Sequence, residues 1–114
     1  MAGTSRVFTF DEARRLLPEV RELTRESIER IGAAHAEIET SEEEEQAEHA
    51  FESATAEILG EWANSVRALG IEVKGPWLID FDSGSGYFCW KWPEDSLEFF
   101  HGYDEGFSGR VRIQ

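Results

Sequence analysis

The sequence predicts an α+β fold: a long antiparallel helical hairpin packed on a small three-stranded antiparallel β-meander. Three observations lead there. Apolar residues recur at helical spacing from Ala13 to Leu69, and from Gly75 onward short aromatic runs alternate with turn residues. The 4 Trp, 8 Phe and 2 Tyr fall mostly in the second half, where a sheet needs a heavy apolar face. A chain of 114 residues reads as one domain, 1–114, with the hairpin over about 10–70 and the meander and closing turn over about 75–114.

The first helix opens on Thr9-Phe10-Asp11-Glu12, a capping box in which the threonine hydroxyl accepts from the Glu12 N–H and the Glu12 carboxylate reaches back. Ala13, Leu16, Leu17, Val20, Leu23, Ile28, Ile31, Ala34 and Ile38 then form one apolar stripe to about residue 39. Pro18 lies inside that stripe, where it lacks an N–H and crowds the Arg14 carbonyl, so a kink is expected there. Ser41 to Glu44 repeats the capping pattern. Ala47, Phe51, Ala54, Ile58, Trp62, Val66 and Leu69 mark a second stripe, which Gly70 ends as a left-handed cap. The short connection predicts that the helices fold back on each other. Such arms outreach a small sheet, leaving apolar surface near Ile31, Ala34 and Phe51 for a second copy of the chain to cover.

Trp77–Phe81, Gly86–Trp92 and Ser96–Gly102 read as the three strands, joined by turns at Asp82–Ser85 and Pro93–Ser96. A four-residue second turn would pair Trp92 with Leu97, Trp90 with Phe99 and Phe88 with His101 on one aromatic face against the helices. Lys91 would then oppose Glu98 on the other face.

A net charge of −13 repels phosphate backbones and anionic membranes, so neither nucleic acid nor membrane is an expected partner. The start, MAGTSRVFTF, lacks the apolar run of a signal peptide, and no stretch approaches a membrane span. With one cysteine no intramolecular disulfide forms, which suits a cytoplasmic location. Zinc motifs, phosphate loops and nucleophile elbows are absent from the sequence. Cys89, in a strand with no helix N-terminus beside it, is not an expected nucleophile. Glu45, Glu48 and His49 share a helical turn but break the Glu-x-x-His spacing of a di-metal bundle, and read as a solvated face.

The remaining chemistry lies in the ending, HGYDEGFSGR. His101 offers a base or ligand, Asp104 and Glu105 offer acceptors, Arg110 offers an anion clamp, and Asp80 lies near. An architectural reading stands beside this one: Phe107 fills an apolar slot, Arg110 pairs with Asp104, Glu105 or Asp80, and His101 donates to a backbone carbonyl.

FTFDEARRLLPEV near the start, Leu69-Gly70-Ile71 with Val73-Lys74, Ile79-Asp80-Phe81, Cys89-Trp90, and His101 with Asp104 to Arg110 together resemble domain-of-unknown-function family 2203, a family of small prokaryotic proteins. The resemblance covers nearly the whole chain and implies no particular activity. Two functions are therefore expected in order. The first is a non-enzymatic cytoplasmic interaction or assembly module, homodimeric through its helices. The second is a small-molecule or metal-binding protein, in the extreme an enzyme, using Asp80, His101, Asp104, Glu105 and Arg110. A concave pocket holding these side chains favours the second; a filled, salt-bridged turn favours the first.

Overall fold

Thr9 caps the first helix in the expected way: its Oγ1 accepts from the Glu12 N–H at 3.1 Å, and its own N–H donates to Glu12 Oε1 at 2.9 Å. The computed structural model describes residues 6–113, so part of the opening stretch read for a leader lies outside the described residues. Helix α1 runs over Phe10–Thr40 and α2 over Glu44–Ala68. Helix α1 continues through Pro18 without a break. Pro18 and Arg14 are both exposed, so water can take the carbonyl that the proline leaves unbonded. Ser41 does not start α2. Its N–H closes α1 on the Ile38 carbonyl at 3.2 Å, and α2 begins after Glu43 without a side-chain cap. At the far end Gly70 has φ +87°, and a Cβ there would lie 2.9 Å from Arg6 Cγ, so this cap requires glycine on both counts.

The helices are joined internally as well as by the loop. Thr24 Oγ1 donates to the Val20 carbonyl and accepts from Trp62 Nε1–H, each at 2.8 Å, which satisfies both side chains where the helices cross. The core occupies only the end of the hairpin nearest the sheet, where Leu17, Val20, Trp62 and Val66 pack with Ile79 and Trp90. From Ile28 to Glu57 no residue is buried, and Ile31, Ala34, Ile38, Ala47, Phe51 and Ala54 are only half-covered. No helix is long and apolar enough to cross a membrane among the described residues.

The sheet has five strands, not three: β1 Glu72–Gly75, β2 Leu78–Asp82, β3 Tyr87–Lys91, β4 Phe99–His101 and β5 Val111–Arg112, in the spatial order β1-β2-β3-β4-β5. All pairs are antiparallel. The two added strands lie on the edges. β1 is the tail that follows the glycine cap, and β5 is two residues past the closing turn; neither is long enough to show a period of two by itself.

The expected register between the second and third meander strands is wrong by one residue. Phe88 pairs with Phe100, Cys89 with Phe99 and Tyr87 with His101. The connection runs from Trp92 to Glu98 and is held by Glu94, whose N–H donates to the Lys91 carbonyl and whose Oε1 accepts the Lys91 N–H, both at 2.9 Å. Trp90 still faces the helices, with no exposed surface, so the slip is in β4 alone. A one-residue slip turns a strand over. Phe100 therefore takes the core side beside Phe88, while Phe99 and His101 move to the outer face. Lys91 and Glu98 do not oppose each other; Glu98 pairs with Arg112 at 2.8 Å.

Candidate functional site on the outer face of the sheet

Strand alternation sorts β2 and β3 cleanly. Ile79, Phe81 and Trp90 face the helices, and Leu78, Asp80, Tyr87 and Cys89 face away. The slipped β4 adds His101 to that outer face. Asp80 lies directly opposite Cys89, and Tyr87 opposite His101. Gly86 makes the close approach possible, since a Cβ there would lie 2.8 Å from the His101 carbonyl oxygen and 2.3 Å from Phe100 Cζ.

Asp80, Cys89 and His101 are 2%, 1% and 3% exposed. His101 Nδ1 is 2.9 Å from the Gly102 carbonyl oxygen, and Nε2 is 3.0 Å from Asp80 Oδ2. A carbonyl only accepts, so Nδ1 carries hydrogen and donates. Nε2 is thereby turned toward the Asp80 carboxylate. The other carboxylate oxygen, Asp80 Oδ1, is buried without a hydrogen-bond partner among the described residues. Such an atom is costly to leave alone.

Above these groups is a pocket of about 240 Å³. Asp80, Cys89 and His101 form its buried floor, and Tyr87, Tyr103 and Phe107 supply aromatic walls. The tyrosine rings meet edge to face at 5.1 Å. Tyr103 is anchored by its hydroxyl on Asp82 Oδ1 at 2.6 Å, and Tyr87 donates to Glu72 Oε1 at 3.1 Å. Lys74, also at the pocket, pairs with the same Glu72 oxygen and lies 4.5 Å above the Tyr87 ring.

Residues 6–113 match the family model described as "Uncharacterized conserved protein (DUF2203)". The chain belongs to this family. No curated protein and no solved structure matches it.

In this DUF2203 chain the five residues expected at the site are only partly brought together. Asp80 and His101 are in contact, and Glu105 joins their pocket, with its Oε1 accepting the Gly102 N–H at 2.8 Å. Asp104 is exposed and does not line the pocket. Arg110 pairs with an acid, but with Glu94 at 2.8 Å and not with Asp104, Glu105 or Asp80. Its guanidinium lies 4.0 Å from both the Phe99 and Phe107 rings. Phe107, expected to be buried, is 42% exposed, because the 3₁₀ turn Phe107–Gly109 places it at the rim with only the Arg110 guanidinium across its ring. Cys89, Tyr87, Tyr103 and Lys74 were not anticipated. The signal for the first two was present in Asp82–Gly86: a tight turn closed by Ser83 N–H on the Gly86 carbonyl puts Asp80 opposite Cys89 and Asp82 opposite Tyr87.

The DUF2203 site holds its thiol protonated. Burial first, then the Asp80 carboxylate beside it, push the Cys89 thiol up to about 12, with the Arg110 guanidinium 3.9 Å from sulfur opposing. Between the ordinary value of 9.0 and about 12 the folded chain therefore binds a proton that the unfolded chain has lost, and stability falls as pH rises through that window. The slope from this group is at most about 1.4 kcal/mol per pH unit. Urea unfolding at pH ~8 and ~10 should show the wild type losing about 1 kcal/mol more than Cys89→Ala over that interval. Equal losses in the two proteins would mean that Cys89 titrates as a free thiol.

Proposed function

We propose that this protein binds a small, positively charged or donor-rich ligand in the pocket on the outer face of the sheet. The observation that carries the reading is Asp80 Oδ1, a buried carboxylate oxygen with no partner at the floor of that pocket. A carboxylate accepts only, so the missing partner is a donor or a cation. The surroundings support the same chemistry: Glu105 adds a second acid, and the rings of Tyr87 and Phe107 already hold the Lys74 and Arg110 cations, with the Tyr103 ring beside them. Binding fits better than turnover, since the one thiol in the pocket is held protonated at neutral pH. The test is amide NMR of the full chain with a panel of small amines and guanidines. Shifts should concentrate at Asp80, Cys89, His101 and Gly106, and should vanish in Gly106→Phe. That variant narrows the pocket from a position whose added Cβ meets no atom within 4 Å. Shifts scattered over the acidic helices, or unchanged in Gly106→Phe, would rule out this pocket as the site.

A second reading concerns assembly, and the half-covered distal hairpin favours it. Ile31, Ala34, Phe51 and their neighbours form a stripe that the sheet does not reach, and two hairpins packed by a twofold axis would cover it as a four-helix bundle. Light scattering at micromolar concentration should give a dimer mass for the wild type and a monomer mass for Phe51→Asp, with unchanged near-UV circular dichroism from the sheet tryptophans. A wild-type monomer would end this reading.

A further inference from the structure

We propose that Asp80, Cys89 and His101 are a three-ligand site for one divalent transition metal of the zinc type, with its fourth coordination position open to the pocket. The proposal rests on the pocket being the ligand site and names the ligand.

The donor set comes first. One ligand atom from each of the three residues lies within 4.8 Å of the others, and all three residues are buried. In a tetrahedral zinc site such atoms lie roughly 3.3–3.6 Å apart, so the longest separation must close by roughly 1.2–1.5 Å through side-chain rotation. A sulfur, an imidazole nitrogen and a carboxylate oxygen suit zinc, cobalt and iron(II), whereas magnesium and calcium require oxygen throughout. Three protein ligands with an open position distinguish an exchangeable or reactive metal from a structural one, which takes four.

The placement comes second. The ligands come from three adjacent strands, β2, β3 and β4, whose ladder hydrogen bonds fix their spacing. His101 is already oriented: Nδ1–H donates to the Gly102 carbonyl, which leaves Nε2 as the ligating atom and raises its basicity. Arg110 Nη1, 3.9 Å from Cys89 Sγ, provides a positive charge beside the thiolate that would form. The pocket provides the route in.

Charge balance comes third. With metal bound, the thiolate and carboxylate carry two negative charges, the imidazole none, and the ion two positive; the thiol proton leaves to solvent. A buried ligand set whose charge cancels that of the ion avoids the large cost of a net buried charge.

The experiment uses the full chain after chelator treatment. Cobalt(II) chloride is added anaerobically, zinc is used as competitor, and calorimetry in two buffers of different ionisation heat counts protons. One cobalt per chain, a thiolate-to-cobalt charge-transfer band, displacement by zinc and release of the thiol proton are the expected results. Cys89→Ser should abolish the band and that proton release, and Asp80→Asn should weaken binding at least tenfold. Both variants are near-isosteric, and near-UV circular dichroism checks that they fold. Absence of the band and of proton release, or an affinity unchanged in both variants, overturns the proposal, the latter by placing the ion on the acidic helices. If amines still shift the pocket amides while cobalt leaves them unmoved, only the metal assignment falls. If neither ligand acts there, the pocket reading falls with it.

Discussion

Trp90→Ala should be among the most damaging single substitutions in this domain, costing about 3–5 kcal/mol. Trp90 has no exposed surface, lies opposite Ile79 in the sheet and meets Trp92 edge to face at 6.3 Å. Its Nε1–H donates to the Glu94 carbonyl at 2.8 Å. Truncation thus opens a cavity between sheet and helices and orphans a carbonyl in the loop that sets the β4 register. For a domain of this size the melting temperature should fall on the order of 15 °C. Trp90→Phe keeps most of the ring volume and loses the hydrogen bond, so about 1–3 kcal/mol is expected. Thermal and urea unfolding measure both. A loss under about 1 kcal/mol for Trp90→Ala would show that this face of β3 is not the core.

The second large effect is expected at the buried pair. His101→Leu removes the hydrogen bond between Nε2 and Asp80 Oδ2, and leaves the buried carboxylate with only the Cys89 thiol beside it. An acid left alone in a dry site should cost about 3–5 kcal/mol. The double replacement Asp80→Leu with His101→Leu removes both polar groups and should recover much of that loss, giving a coupling energy of about 2 kcal/mol or more in a double-mutant cycle. Additive losses would mean that the two side chains do not act as a unit. Because stability and metal binding both involve this pair, the metal assignment is better judged from Cys89→Ser and Asp80→Asn, which leave the packing volume in place.

Local rules made the hairpin readable. The capping box at Thr9 and Glu12, the helical stripe through Leu17 and Val20 and the glycine cap at Gly70 each depend on residues within a turn or two of one another. The same locality explains the failures there. Ser41 satisfies a capping pattern from sequence, yet its backbone N–H was already needed to close α1. Pro18 breaks the helical rule in an isolated segment, but in the folded chain it lies on the wet side of a helix held by its opposite face.

The aromatic weight of β3 was enough to send Trp90 into the core, whereas the side of Asp80 follows from its place between Ile79 and Phe81 once β2 is paired with β3. The position of His101 was not available from the same information. It depends on the Trp92–Glu98 connection, where Glu94 ties the chain to Lys91 and shifts β4 by one residue. As a nucleophile Cys89 is unsuited, its thiol being held protonated; the ligand role proposed for it needs neighbours on two other strands. Arg110 was correctly given an acid, but its partner, Glu94, is set by how the closing turn lies over Phe99.

The sequence by itself therefore determined the two helices and the three central strands, the side of the sheet on which Trp90 lies, and the surplus length of the hairpin. All of these follow from periodicity and capping, which act over a few residues. Only the tertiary structure decided the five-strand count, the β4 register and the meeting of Asp80, Cys89 and His101. Those depend on which backbone groups pair across a turn, and a shift of one residue there costs little locally while it moves a histidine from one face of the sheet to the other.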